Sequence, residues 1–367
     1  MKLYLVGGFL GSGKTTAITQ AAQIFLDQGK RVGIVTNEQG KHLVDTAFLR
    51  SKALPTMEVT GGCICCHLDD FNERVDELML RYNPDVILAE SVGSCADLVA
   101  TVLKPLVRLR TDFDQPSSLS VFTDARLFYR YLKGLELPFS EEVMYIYEKQ
   151  LEEGGLIVIN KCDLLDEEKR SEILLLATAK YPGKTFRLQN SLERTQVAEW
   201  LDLLDSSDSP QSQTSMDIDY DQYASGEARF SWVDREIKIS VDDPQKKSLL
   251  LQAIQKVCEG LLNQGFPIAH LKFLLDDGRE NIKFNLTALD DLDSKFKGIS
   301  DLLQDLKGRD YFLWINAMIE GPLEKVVEKI DAIINLELNT EGIAYSVLSA
   351  FTRVPGYPKP TMRIGNE

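Results

Sequence analysis

Histidine is scarce: His42, His67 and His270 are the only three in 367 residues, so no histidine-rich tract exists to store metal. Basic charge is also in deficit. The 41 Lys and Arg are outnumbered by 56 Asp and Glu, for a formal net charge of -15. That balance argues against nucleic acid or an anionic membrane surface as partner, because a polyanion needs a broad basic face. It leaves room for a single nucleotide held by a local loop. No apolar run approaches the ~18–20 residues of a membrane span, which excludes a transmembrane helix. The opening Met1-Lys2-Leu3-Tyr4-Leu5-Val6-Gly7-Gly8 is too short for a secretory signal and runs straight into a motif, so a cytoplasmic protein is expected. Six cysteines are then expected to be reduced, and clustered ones point to metal or redox chemistry rather than a disulfide framework.

The length suggests two domains. Over residues 1–205 short apolar runs (Leu3–Val6, Arg31–Thr36, Met57–Thr60, Val86–Ala89, Leu119–Thr123, Leu156–Ile159, Thr185–Leu188) alternate with helical patterns such as Thr15–Asp27, Leu68–Arg81, Glu141–Glu152 and Asp166–Lys180. That alternation predicts an α/β fold with a mostly parallel sheet covered on both faces. Residues 206–226 contain no Lys or Arg and few large apolar side chains, and read as a flexible acidic linker. Residues 227–367 read as a smaller α+β domain. Strands are expected at Phe230–Val241, Ala269–Leu275, Asn281–Leu286, Tyr311–Ile319 and Ala344–Phe351. Helices are expected at Gln245–Asn263 and Leu323–Ile334, giving two β-α-β halves. Pro355 to Thr361 reads as a rigid, extended surface strap.

Gly8-Phe9-Leu10-Gly11-Ser12-Gly13-Lys14-Thr15 fits G-x-x-x-x-G-K-[ST], with an apolar strand before it and a helix after. The glycines let the backbone curl so that its N–H groups face phosphate oxygens, reinforced by the helix dipole. Gly8, Gly11, Ser12, Gly13, Lys14, Thr15 and Thr16 form the candidate cradle. Lys14 is assigned to the β- and γ-phosphates and Thr15 to Mg²⁺, while Thr16 chiefly supports the helix start.

Asn160-Lys161-Cys162-Asp163 follows an apolar strand. Asp163 can accept from guanine N1–H and N2–H₂, donors that adenine lacks there. Asn160 can meet the other purine edge and Lys161 can cover a ring face. The competing reading is a turn that caps the next helix. Glu90 ends the strand Val86–Ala89, where ligands gather in open α/β sheets, and Gly93 can donate its N–H to a γ-phosphate. A plain helix N-cap competes here. Glu38, at another strand end, is a candidate for Mg²⁺ or a transition metal, and Asp45 follows it. Lys14, Thr15, Glu90 and Glu38 are the candidate catalytic residues.

Gly61-Gly62-Cys63-Ile64-Cys65-Cys66-His67 places three thiols in four positions between a strand and a helix. Thiolates select soft or borderline ions, Zn²⁺ or Cu(I) above all. Three sulfurs leave a position open for exchange. Glu38, Asp45 and His67 are possible further ligands, while Cys95 and Cys258 read as core.

Together the segments Gly7–Thr16, Asn37–Gly40, Gly61–Cys66, Glu90–Gly93 and Asn160–Asp163, in this order, resemble the CobW-like GTPases, relatives of the UreG and HypB nickel-insertion GTPases. The resemblance covers residues 1–205. It implies a P-loop fold and slow GTP hydrolysis with Mg²⁺. It also implies Zn²⁺ or a similar ion on Cys63, Cys65 and Cys66, delivery of metal to a client protein, and a nucleotide-dependent homodimer. A GTP-dependent activation factor for a metalloenzyme or corrinoid protein, or a metal sensor or store, are the competing roles. This chain departs from the family at Gln39-Gly40-Lys41, where Phe, Gly and Glu are usual, and at Val92, where Ser or Thr precedes the glycine. The region after residue 226 does not resemble the usual CobW C-terminal domain.

Overall fold

The computed structural model describes residues 1–37, 49, 54–59, 62–113, 118–206, 214–297, 299–303 and 306–366. They form two compact units. Of the described residues, the first holds those up to Gly226 together with 358–366, and the second those in Glu227–Tyr357.

In the first unit seven strands form one parallel sheet. They are β1 (Lys2–Gly8), β2 (Val32–Asn37), β3 (Thr56–Val59), β4 (Val86–Glu90), β5 (Ser118–Asp124), β6 (Leu156–Asn160) and β7 (Thr185–Gln189). Their spatial order is β3-β2-β4-β1-β5-β6-β7. Strands β1, β2, β4, β5 and β6 are buried along nearly their whole length because helices cover both faces of the sheet. Helix α1 (Lys14–Asp27) packs Ala17, Ile18, Ala21 and Phe25 on one face, against Tyr4, Val6, Ile34 and Trp200. The others are α2 (Leu68–Tyr82), α3 (Lys104–Leu109), α4 (Ala125–Leu132), α5 (Glu141–Glu153), α6 (Glu167–Lys180) and α7 (Arg194–Asp205). Polar caps start several of them. Asp124, Ser140 and Asp166 accept the backbone N–H of Arg126, Val143 and Lys169.

Register aligns the working ends of the strands. Val6 of β1 pairs with Glu90 of β4, and Gly8 pairs with Phe122 of β5. Asn37 of β2 pairs with Val59 of β3, and Asp124 pairs with Asn160 of β6. The carboxyl ends of these strands therefore emerge along one edge.

The expected linker over 206–226 does not survive for its described part. From 214 onward this stretch packs on the first unit. Helix α8 (Tyr220–Ala228) carries Tyr223, 2% exposed, against Ala96 and Ile146, with Met216 and Ile218 alongside. Composition misled because two tyrosines, a methionine and an isoleucine supply the apolar area that the acidic count conceals. From Pro358 onward the strap and the residues after it also belong to this unit: Ile364 N–H donates to Ala100 O, and Ser215 N–H donates to Asn366 Oδ1.

The second unit is a five-stranded antiparallel sheet. Its strands are β8 (Phe230–Ser240), β9 (Ile268–Asp276), β10 (Asn281–Leu286), β11 (Asp310–Glu320) and β12 (Ala344–Arg353), in the order β10-β9-β11-β8-β12. Helices α9 (Ser248–Leu262) and α10 (Leu323–Thr340) cover one face, with Ile254, Val257, Ile330 and Ile334 on Ile237, Phe273 and Ile315. The two β-α-β halves interdigitate: β11 lies between β8 and β9, and β8 between β11 and β12.

Candidate functional site

The phosphate loop leaves β1 and is shaped by glycine. Gly8, Gly11 and Gly13 have φ of 115°, 71° and 90°. A Cβ on Gly8 would stand 2.1 Å from Phe122 O, and one on Gly13 would stand 2.3 Å from Asn160 Nδ2. Left-handed backbone and contact distance both demand glycine at these two positions. Lys14 is buried, and its ammonium donates to Gly8 O at 2.8 Å and Phe9 O at 3.2 Å, so it is folded back over the loop it serves. Ser12 Oγ is buried without a hydrogen-bond partner among the described residues, as expected of a group that faces a ligand. Thr16 occupies the first turn of α1 and is half-buried.

Thr15 Oγ1 donates to Glu90, 3.1 and 3.0 Å from its two carboxylate oxygens. A hydroxyl and a carboxylate in contact beside a phosphate cradle are hard oxygen donors suited to Mg²⁺. Beyond Glu90, Gly93 presses on the loop from the other side; a Cβ there would meet Leu10 Cα at 2.9 Å.

The N-K-x-D segment begins on the last residue of β6. Asn160 is 2% exposed and acts as a tether: its Nδ2 donates to Ser12 O at 2.7 Å, and its Oδ1 accepts from Ser191 N and Oγ at 3.1 and 2.8 Å. Lys161 has φ 58° and reaches Asp124 Oδ2 at 3.0 Å. Burial pushes the Asp124 carboxyl up, but Lys161 and Arg126 outweigh it and hold it well below the usual carboxylate range. Asp163, on the 3₁₀ turn Cys162–Leu164, is exposed.

The thiol loop turns tightly after β3. Cys66 and His67 N–H groups both donate to Cys63 O, at 2.9 and 3.0 Å, which brings adjacent cysteines round to one side. The Sγ atoms of Cys63, Cys65 and Cys66 all lie within 4.8 Å of one another. Among the described residues this is the one convergent group of three or more ligating side chains. Cys63 and Cys65 are buried and Cys66 is half-buried. Hydrogen bonds from the Cys65 and Cys66 thiols hold Cys63 well below the usual thiol range. The same sharing pushes Cys65 well up and Cys66 up to about 12. One thiolate with thiol donors around it is a ready acceptor for a soft cation.

His67 lies apart from this group. Its exposed ring rests against Gly62, where a Cβ would fall 2.2 Å from Nε2. Glu38 and Asp45 lie outside the described residues.

Two supports of the thiol loop escaped sequence reasoning. Asn37, the last residue of β2, donates through Nδ2 to Gly62 O at 2.8 Å and Val59 O at 3.3 Å, and accepts from Ile64 N–H at 2.8 Å. Its place beside Glu38 was the available signal. The terminal strap is the other: Lys359 N–H donates to Cys66 Sγ at 3.2 Å, and Thr361 Oγ1 to Cys66 O at 2.7 Å. Arg363 anchors it on Asp97 at 2.6 Å, where Tyr220 also donates at 2.8 Å. Only the fold reveals so distant a pairing.

Comparison with known proteins agrees with this geometry. A family model described as CobW/HypB/UreG, nucleotide-binding domain, matches residues 2–186, half of the 367-residue chain. A zinc chaperone CobW from a Sinorhizobium species is 31% identical over 193 residues, covering 44% of this chain and 51% of the relative. A zinc chaperone YeiR from Escherichia coli is 33% identical over 114 residues, covering 29% and 34%. The chain thus spans about half the length, or less, of these curated relatives. The hydrogenase maturation factor HypB of Archaeoglobus fulgidus aligns with 56% of this chain and 89% of its own, at 19% identity and a TM-score of 0.38. With the parallel sheet, the glycine cradle and the match over residues 2–186, the chain belongs to the CobW/HypB/UreG family of P-loop GTPases.

Proposed function

We propose that this protein binds and slowly hydrolyses GTP, and that the state of the nucleotide governs its hold on a Zn²⁺ or similar ion destined for a client protein. One observation carries the reading: the turn that gathers Cys63, Cys65 and Cys66 is tied by Asn37 to β2, in the same sheet whose β1 and β4 end in the phosphate loop and Glu90. Two sites with different chemistry on one strand edge can be coupled by the segments between them.

The nucleotide-side residues divide the work by position. Gly8 and Gly13 hold the loop curled, and Lys14 turns from the loop carbonyls to the β- and γ-phosphates. Thr15 and Glu90 would hold Mg²⁺, which when bound offsets charge developing on the phosphate oxygens. Gly93 offers its N–H beside the γ-phosphate. Asn160 fixes the cradle through Ser12 O, and the exposed Asp163 is left for guanine N1–H and N2–H₂. The ion is cargo: it displaces protons from the neutral thiols, so uptake strengthens as pH rises. The zinc-chaperone names of the relatives support this assignment.

The test is nucleotide turnover by the full chain. GTP hydrolysis is expected in the wild type and lost in Lys14→Ala. Asp163→Asn is expected to weaken GTP and favour xanthosine triphosphate. A protein that binds zinc but hydrolyses no GTP overturns the reading in favour of a sensor or store.

A further inference from the structure

We propose that Cys95 is a fourth sulfur ligand of the ion site, carried to Cys65 on the segment that follows Glu90 and Gly93. The proposal rests on Cys63, Cys65 and Cys66 binding an ion, and it adds a residue to that set.

Spacing is the first observation. Cys95 Sγ lies 3.9 Å from Cys65 Sγ, and Cys65 Sγ lies 3.8 Å from Cys66 Sγ. Two sulfurs on one tetrahedral Zn²⁺, each at about 2.3 Å, stand about 3.8 Å apart. Cys65 therefore has two thiol neighbours at the separation that a shared ion requires. Cys95 lies outside the group of three whose sulfurs all fall within 4.8 Å of one another, and adjoins it through Cys65. It is 1% exposed, and a cysteine serving only as a small apolar filler has no reason to face a group of thiols.

Rigidity is the second. Gln150, itself 2% exposed, donates Nε2 to Gly93 O at 2.9 Å and to Cys95 O at 2.8 Å. Cys95 N–H closes a turn on Val92 O at 2.9 Å, and the next N–H, of Ala96, is held by Tyr223 OH at 3.2 Å. A residue fixed on both sides is what a preorganised ligand needs.

The four thiols differ in access. Cys66 is half-buried and Cys95 is inaccessible, so an ion arriving past Cys66 completes its shell inside, at Cys95. Uptake replaces S–H by S–Zn bonds, releases the thiol protons to solvent and changes no oxidation state. Cys95 stands two residues from Gly93, whose backbone packs on Leu10 of the phosphate loop.

The experiment uses the full-length protein, stripped of metal and kept in a phosphine reductant. Co²⁺ is titrated in and then displaced by Zn²⁺, for the wild type, Cys95→Ser and Cys95→Ala. Far-ultraviolet circular dichroism checks each fold. Cys95→Ser is expected to lose about a quarter of the sulfur-to-cobalt charge-transfer intensity and to bind Zn²⁺ at least about tenfold more weakly. Variants with the wild-type spectrum and affinity overturn the assignment of Cys95 while leaving the three-cysteine site intact. A wild type that takes up neither ion overturns the metal site itself. Should both variants misfold, X-ray absorption on the Zn²⁺-loaded wild type counts sulfurs directly: four support the proposal and three overturn it.

Discussion

The phosphate loop and the thiol loop leave the same edge of one sheet, yet they are held in opposite ways. Gly8, Gly11 and Gly13 shape the first through backbone conformation, almost wholly within eight consecutive residues. The second depends on distant partners: Asn37 from β2, and Lys359 and Thr361 from the other end of the chain. Local backbone geometry makes a cradle that persists through a catalytic cycle. A turn secured by separate hydrogen bonds can be tightened or slackened by whatever moves its partners, and that suits the uptake and release of an ion proposed for this loop.

Breaking the glycine frame is expected to have the largest effect. Gly8→Ala places a methyl 2.1 Å from Phe122 O at φ 115°, and should cost at least ~3 kcal/mol of stability, read by denaturant titration. A change near wild type would show that the loop yields where rigidity is claimed.

Next comes pH, which acts behind the thiol side. Burial, with Asp97 nearby, raises the Glu153 carboxyl from its ordinary 4.5 to about 8, while Val99 N–H bonds to it. The folded chain thus binds a proton there that the unfolded chain has lost. Stability should fall as pH rises from about 4.5 to about 8 and stay low above that, with Glu153→Gln removing a slope worth a few kcal/mol. Parallel profiles for both proteins would remove Glu153 from the explanation.

Asn37→Ala sharpens the contrast directly. It strands Ile64 N–H and Gly62 O in a buried turn and is expected to cost ~2 kcal/mol. Zinc affinity should drop on the order of tenfold with GTP affinity intact. Equal losses of both ligands would mean that Asn37 serves the whole edge rather than the thiol loop. The smallest effect is expected from Arg363→Ala, which releases the strap from Asp97; ~1 kcal/mol of stability and faster loss of zinc to a chelator are expected.

The same contrast explains what was legible in the sequence. Seven parallel strands, the cradle and the thiol triplet follow from local patterns, namely apolar runs, glycines at set offsets and three cysteines in four positions. The contacts of Asn37 and Cys95, and the place where the strap docks, were not legible, because each joins residues far apart in the chain. Cys95 looks like core when counted alone and becomes a neighbour of Cys65 only after folding. The stretch 214–226 misled in the other direction. Its acidic composition hides Tyr220 and Tyr223, whose hydroxyls bond Asp97 and Ala96.

Coupling between the two loops is tested most directly by Zn²⁺ affinity, measured by competition with a chelating dye, on protein saturated with a non-hydrolysable GTP analogue and on protein saturated with GDP. At least a ~fivefold difference between the two states is expected, since linked sites commonly differ by that much or more. Equal affinities in both states would contradict the coupling.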